Sequence, residues 1–249
     1  MEPVTYETSS DWRSLANDLS KSLHLSAPPI SITFLTEPLD TIPAFDEPMS
    51  QPSADGRAGR VPASCVFWIK ATTATFTTSP EDHGNCSVGR YTHGLASFSE
   101  VADKSDIAAL LESGWVDGAK VGTIPSISTR ANAICYGPLA DATLPPDVVL
   151  LRVNGRQLMV ISDAVPGIQI EGKPQCHIVA IAKEHNKVAA SVGCALSRAR
   201  TGMSPDEMTV AIPGSRLASV VHEIQKTAMV DTVVAKYAAD DARRFKVNQ

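Results

Sequence analysis

The chain carries the same cysteine pattern twice, and whatever fold it adopts must accommodate both copies. Residues 172–198 run Gly172-Lys173-Pro174-Gln175-Cys176-His177 to Val192-Gly193-Cys194-Ala195-Leu196-Ser197-Arg198. A degraded copy stands at 59–90, from Gly59-Arg60-Val61-Pro62-Ala63-Ser64-Cys65 to Asn85-Cys86-Ser87-Val88-Gly89-Arg90. Each copy opens with Gly, a basic residue and Pro. A cysteine then begins an apolar segment, a β-prone run follows, and a Cys-x-x-x-Arg closes the unit. Cys65 and Cys176 lie 111 positions apart, and Cys86 and Cys194 lie 108 apart. Upstream, Pro28-Pro29-Ile30-Ser31-Ile32-Thr33-Phe34-Leu35 echoes Pro145-Pro146-Asp147-Val148-Val149-Leu150-Leu151-Arg152 at an offset of 117. Three features in one order at nearly constant spacing imply an internal duplication.

Periodicity places these motifs on elements. Residues 9–25 read as an amphipathic helix with Trp12, Leu15, Leu19 and Leu23 on one face, stopped by Pro28-Pro29. Ile30–Leu35 and Asp147–Val153 read as buried strands, the second a continuous apolar run suited to mid-sheet. Helices are expected at Cys65–Ala71, from Cys86, at Lys104–Ser113, Gln157–Ala164, Cys176–Lys183 and Cys194–Arg200. Further strands are expected at Thr72–Thr78, Lys120–Ile124, Ala131–Tyr136, Val188–Val192 and Met208–Ile212. A last helix should run from Pro213 to about Arg244. Five prolines in residues 36–62 predict a long loop without regular structure, reaching over the cysteine side of the sheet.

Strands alternating with helices give an α/β, mixed α+β fold. It is read as one domain over 1–249, built from two pseudo-symmetric strand–helix–strand–helix repeats that share a mixed sheet. The repeats cover roughly 28–110 and 145–230, with terminal helices at 9–25 and 213–244.

A net charge of −5, with no basic run longer than Arg243-Arg244, disfavours nucleic acid. No stretch approaches the apolar length a membrane span needs. Residues 1–7 lack the basic and apolar regions of a secretory signal, so the expected compartment is the cytoplasm. In that compartment five cysteines are more often thiols or metal ligands than disulfides.

A cysteine in the first turn of a helix has its thiolate favoured by the helix dipole and free N–H groups. An arginine four residues later adds to this by standing one turn away. If a two-fold relates the halves, Cys65, Cys86, Cys176 and Cys194 converge near its axis. Four converging thiolates form the ligand set of an iron–sulfur cluster or of a zinc site made of cysteines alone. Gaps of twenty and seventeen residues do not suit the close knuckles of zinc modules. Arg90 and Arg198 would offset the cluster's charge or hold an anionic substrate. The bland alternative is that buried cysteines simply pack, which is the reading for Cys135. His83, His93 and His177 flank the cysteines, but a lone histidine is more often a hydrogen-bonded residue than a ligand. Asp147 and Asp163 read as turn or capping residues. No Gly-x-Gly-x-x-Gly, P-loop, Gly-x-Ser-x-Gly or His-Glu-x-x-His occurs.

Several segments together resemble the domain of unknown function 169 family. They are Pro28-Pro29, Cys65, Cys86 with Arg90, Gly137-Pro138-Leu139 and Pro146-Asp147-Val148-Val149-Leu150. Gln157-Leu158-Met159, Cys176, Cys194 with Arg198, Asp206-Glu207 and Ile212-Pro213 complete the set. The likeness spans most of residues 28–220. It departs at Ala195 and Leu196, where the family commonly has Tyr and Gly. It implies a shared fold and shared cysteines, and no agreed function.

Two function classes follow. One is a cysteine-ligated iron–sulfur protein: a redox or lyase/sulfur-chemistry enzyme, or an electron carrier, acting on a small anionic metabolite. The other is a cofactor-free binding or assembly protein with structural cysteines, or a thiol-redox protein. Expected partners are a small-molecule substrate or a redox partner protein, with a homo-oligomer left open, and neither nucleic acid nor membrane. Which residues are catalytic is left open.

Overall fold

Val148-Val149-Leu150-Leu151-Arg152-Val153 is apolar at all but one position, as a strand covered on both faces must be. It forms β4 (Val148–Val153), the middle strand of a seven-stranded sheet. The computed structural model describes residues 10–46, 63–84, 86–102, 105–114, 117, 119, 123–172 and 174–245. The other strands are β1 (Ile30–Leu35), β2 (Phe76–Thr78), β3 (Ala133–Pro138), β5 (Gln169–Glu171), β6 (Ala189–Ser191) and β7 (Met208–Pro213). They run in the order β2-β3-β1-β4-β7-β6-β5, with β5–β6 parallel and the other pairs antiparallel. The protein is therefore a single mixed α/β domain on one mixed sheet.

The strand registers repeat from one half to the other. At the centre Ile30 faces Leu150, Ser31 faces Val149 and Ile32 faces Val148. Outward from β1, Ile30 faces Pro138 and Ile32 faces Tyr136; outward from β4, Val148 faces Pro213 and Leu150 faces Ala211. One strand further, Tyr136 faces Phe76 and Ala211 faces Ala189. At the two edges, Ala44 makes a parallel bridge to Thr77 as Ile170 does to Ala190. Ile30 thus corresponds to Val148, Pro138 to Pro213 and Phe76 to Ala189, with Ser31 and Val149 meeting at the centre. The Pro-Pro echo at offset 117 is one residue out of step with this register, in which Ile30 matches Val148 and not Asp147.

The period-2 alternation of β4 feeds two cores. Val149, Leu151 and Val153 join Leu19 and Leu23 of α1 (Ser10–Leu23), Ile161 of α6 (Gly155–Ala164) and Val220, Val221 and Ile224 of α9 (Leu217–Phe245). Val148 and Leu150 join Phe67 and Trp68 of α2 (Ser64–Lys70) and Ile178–Ala182 of α7 (His177–His185). A reciprocal capping box starts α6: the Asn154 side chain accepts from the Gln157 N–H, and the Gln157 side chain accepts from the Asn154 N–H. Gln157 Nε2 also donates to the Leu23 and His24 carbonyls, tying α6 to the end of α1. Two short helices, α3 (Ser87–Thr92) and α8 (Ala195–Thr201), follow β2 and β6 in the two halves. Between α3 and β3 the first half carries α4 (Phe98–Ala102) and α5 (Ser105–Glu112), and the second half has no counterpart there.

Several sequence expectations shift. The last helix begins at Leu217, not Pro213, because Pro213 still belongs to β7. There the Gly214 N–H donates to the Asp147 carbonyl at 2.8 Å, and a Cβ at Gly214 would stand 1.7 Å from the Pro146 carbonyl oxygen. The strand expected at Lys120–Ile124 is not found at residues 123–124, and 120–122 lie outside the described residues. Thr72–Thr75 form a turn and irregular chain before the short β2. In the loop expected at 36–62, residues 43–45 line the β2 edge: Phe45 N–H donates to Thr77 O, and Thr77 N–H to Pro43 O. Phe45 packs against Phe67 and Phe76, on the face that carries α2 and α7. Residues 47–62 lie outside the described residues. Among the described residues no helix is long and apolar enough to cross a membrane.

Candidate four-cysteine site

Matched strand order brings matched helix starts together. α2 packs on α8, and α3 packs on α7, so each contact joins one half to the other. Cys86, Cys176 and Cys194 hold the N-cap positions of α3, α7 and α8, and Cys65 is the second residue of α2. All four line one pocket with about 470 Å³ of space, part of it open to solvent. Its wall also includes Ser64 and Trp68 from α2, Gly89 from α3, Gln175 before α7, and Ser197 and Arg200 from α8. All five cysteines are free thiols. Cys135 stands apart on β3, buried, and does not line the pocket.

Burial in the pocket keeps Cys65 and Cys176 protonated. Burial pushes Cys65 up to about 11, and the neighbouring Cys86 and Cys194 add to the rise. The Ser197 hydroxyl and the Arg200 guanidinium offset part of it. Burial raises Cys176 well above the usual thiol value, again with Cys86, Cys194 and Cys65 adding, while Thr92 beside it opposes. The pairs cross: Ser197 of the second half serves Cys65 of the first, and Thr92 of the first serves Cys176 of the second. The Cys86 sulfur accepts the Gly89 N–H at 3.4 Å, a sulfur N-cap.

Two buried polar atoms of the wall, Trp68 Nε1 and Gln175 Oε1, have no hydrogen-bond partner among the described residues. Gln175 anchors itself through Nε2, which donates to Ser197 Oγ at 3.2 Å. Ser64 Oγ meets His83 Nδ1 at 2.9 Å, and His83 Nε2 meets Thr78 Oγ1 at 3.0 Å. Thr78 can donate onward to the Ile134 carbonyl, so a neutral His83 accepts from Ser64 and donates to Thr78. Burial holds the His83 pKa well below the ordinary value, with His93 and Arg90 adding. His93 falls to about 4 through burial, although the Gly89 carbonyl at its Nδ1 pulls the other way. Both histidines are core groups in hydrogen bonds and ring contacts, and neither lines the pocket. His177 sits beside Glu171 at 3.7 Å, and burial lowers its pKa. Among the described residues no group of three or more His, Cys, Asp or Glu side chains is arranged to hold a metal ion.

The two arginines expected at the rim take other places. Arg198 donates to the carbonyls of Ser204 and Glu207 (2.8 Å) after its own helix and of Val192 (2.9 Å) in the loop before it, tying the two together. That loop turns at Gly193, whose φ of 115° is open to glycine and strained for other residues. A Cβ there would meet Arg198 Nη2 at 2.7 Å. Arg90, half-buried on α3, is likewise absent from the wall, and its Nε has no partner. Arg200 is the arginine that lines the pocket. Counting four residues from Cys194 picks Arg198, but Cys194 is extended (φ −138°, ψ 133°) and lies off the helical period. Leu196, Ser197 and Arg200 share the pocket-facing stripe of α8 at i, i+1 and i+4, a pattern visible once the helix start is known. Asp147 is a turn residue that also binds: it accepts the Phe34 N–H at 2.8 Å and pairs with Lys183 at 2.6 Å.

The family model described as "Uncharacterised ArCR", DUF169, matches residues 18–223, which take in both halves of the sheet and all four pocket cysteines. The chain belongs to the domain of unknown function 169 family. No curated protein and no solved structure matches it. Its Ala195 and Leu196 open α8, and Leu196 forms part of the pocket wall.

Proposed function

We infer that the pocket is the functional site and that its cysteines hold an iron–sulfur cluster, in a redox or lyase/sulfur-chemistry protein acting on a small anionic metabolite. One observation carries the reading: four thiols from four helix starts, two per half, line a single pocket. The chemistry of the donor set fits. The four thiols are soft ligands, and among the described residues no carboxylate lines the wall and Arg200 is the cation that does. A cluster bridges sulfurs roughly 6–7 Å apart, wider than a single ion's shell, so thiols ringing a pocket suit it without the close gathering one ion needs. The raised thiol pKa values fit as well. Buried thiols that repel one another's charge gain their counter-charge from a bound metal, which deprotonates a coordinating thiol outright. At Cys65 and Cys176 the same raised values weigh against thiol-redox chemistry, which relies on a depressed pKa. Simple packing leaves Trp68 Nε1 and Gln175 Oε1 without partners, an unusual cost for two buried polar atoms in one wall.

When bound, such a cluster supplies electron transfer, or Lewis acidity at an iron that lacks a protein ligand. The chain's own residues do the rest. Arg200 places positive charge where an anionic group would enter. Ser64, held by His83, presents a hydroxyl to the pocket. Trp68 and Gln175 offer a donor and an acceptor to whatever lies between them.

The test is anaerobic purification, or reconstitution with ferrous iron and sulfide, followed by iron and acid-labile sulfide analysis. A brown protein absorbing near ~400 nm is expected. Cys→Ser at 65, 86, 176 or 194 should lower bound iron, and Cys135→Ala should not. A wild type that takes up neither iron nor sulfide, or equal iron in all five variants, returns the cysteines to packing.

A further inference from the structure

We propose that the outer half of α9 is a self-association surface, on which a second copy of this chain packs its own α9 antiparallel, with the dyad between Val233 and Val234. The helix has two apolar faces, and the fold uses one. Leu217, Val220, Val221 and Ile224 are buried against the core, Ala228 packs beside them, and Asp231 pairs with Arg156 at 2.8 Å. At 100° per residue these share one side of the helix. Met229, Val230, Val233, Val234 and Tyr237 lie on the opposite side, each 57–74% exposed. An exposed stripe of five large apolar side chains in a row, rather than scattered singly, marks an interaction surface.

Charge selects the occupant and its direction. Along the free face the sequence reads Glu223 and Lys226, then the apolar stripe, then Asp240, Asp241 and Arg244. Antiparallel pairing about Val233–Val234 brings each stripe onto the other. It also sets Lys226 opposite Asp241 and Glu223 opposite Arg244. Parallel pairing in register also joins the stripes, but it places Lys226 against Lys226, Asp240 and Asp241 against their own copies, and Arg244 against Arg244. Like charges across a helix pair disfavour that arrangement. These side chains already form i,i+3 pairs within the helix (Glu223–Lys226, Asp240–Arg243 and Asp241–Arg244), and their exposed positions leave them free to re-pair at little cost. The interval from Lys226 to Asp241 spans about 22 Å at 1.5 Å per residue, enough for the complete stripe and both charged flanks.

Sedimentation equilibrium of the full chain from sub-micromolar to hundred-micromolar concentration tests the proposal. A monomer–dimer equilibrium is expected. Val234→Glu, which sets two carboxylates against each other at the dyad, should raise the dimer Kd at least tenfold while the thermal melt of the monomer is kept. Lys226→Asp and Asp241→Lys should each weaken the dimer, and the double variant should restore it. A wild type monomeric at every concentration overturns the proposal, as does a dimer indifferent to Val234→Glu. A double variant weaker than either single variant overturns the antiparallel pairing.

Discussion

The two halves of the sheet share register and strand order, yet they are filled differently. In the first half, Phe67 stacks among Phe45, Phe76, His83 and Tyr136, and a Ser64–His83–Thr78 chain runs behind the pocket. In the second half Ala211 takes the place of Tyr136 and Ala189 that of Phe76, Ile178 follows Cys176 by two residues as Phe67 follows Cys65, and α7 packs on these small strand residues. The second half puts its bulk on the other face, where α6 and α9 pack. What the halves have in common supports the cysteines. What they do not share gives the pocket two unlike walls: a hydroxyl backed by a neutral imidazole on one side, an anchored amide and an arginine on the other.

The cysteines provide the severest test of that likeness. Cys65→Ser and Cys176→Ser should each remove most of the bound iron, and to the same extent, because the two occupy matching positions. Iron analysis showing that one half's pair is dispensable would break the equivalence at the site itself. Next comes the packing contrast. Phe67→Ala, fully buried among four rings, should cost about 3–5 kcal/mol, against about 0.5–1.5 for Ile178→Val, read by urea denaturation. Equal losses would mean that the aromatic cluster contributes nothing special to the first half.

Thiol reactivity sharpens the comparison from the opposite direction, since here the halves should behave alike. With the Cys65 pKa near 11 against 9, its thiolate fraction at pH 8 is about a hundredfold lower than that of an ordinary thiol. Iodoacetamide should therefore modify Cys65 and Cys176 of metal-free protein slowly, as mass spectrometry of peptides would show. Both thiols are protonated in the fold, so metal-free stability should hold below about pH 9 and decline as pH rises toward 11. Acid should separate the halves again. His83 and His93 are buried neutral, with folded pKa values below the unfolded one, so the unfolded chain binds more protons. Stability is then complete above about pH 6.5 and falls as pH drops toward 4. Hydrogen exchange at pH 4.5 should show α3, beside two buried histidines, losing protection before α7, where Glu171 opposes the lowering at His177; α7 losing protection first would remove His83 and His93 as the cause. The smallest effect belongs to the second half alone. Asn154→Ala removes the α6 capping box and should cost about 1 kcal/mol, seen as a modest drop in Tm with iron content unchanged.

Much of this frame was legible in the residues. Val148–Val153 announced a central strand by its unbroken apolar run, and the repeated Gly-basic-Pro…Cys order marked four helix starts that do line one pocket. The matching of β3 with β7 was hidden, because α4, α5 and the chain to Ala133 intervene in the first half and have no counterpart in the second. The edge bridge at Ala44, equivalent to β5, was hidden in a proline-rich loop that sequence patterns treat as structureless. Arg200 was missed in favour of Arg198 because an extended N-cap resets the helical count by less than a turn. His83 and His93 read as hydrogen-bonded residues rather than ligands, and the structure holds them so. Their burial comes from rings supplied by Phe67, Tyr136 and Trp68, contacts that no local spacing reports.

The central pairing of β1 with β4 sets a schedule for the chain. β1 cannot gain its inner neighbour until residues more than a hundred positions later have been made, and the α2–α8 and α3–α7 contacts wait on the same event. Closing so long a loop is slow and is rewarded only at the end. Until then each half presents two thiols rather than four, so the four-thiol pocket exists only in a finished protein. Metal acquisition would accordingly follow folding in time, and a nascent or truncated first half would have no pocket to fill.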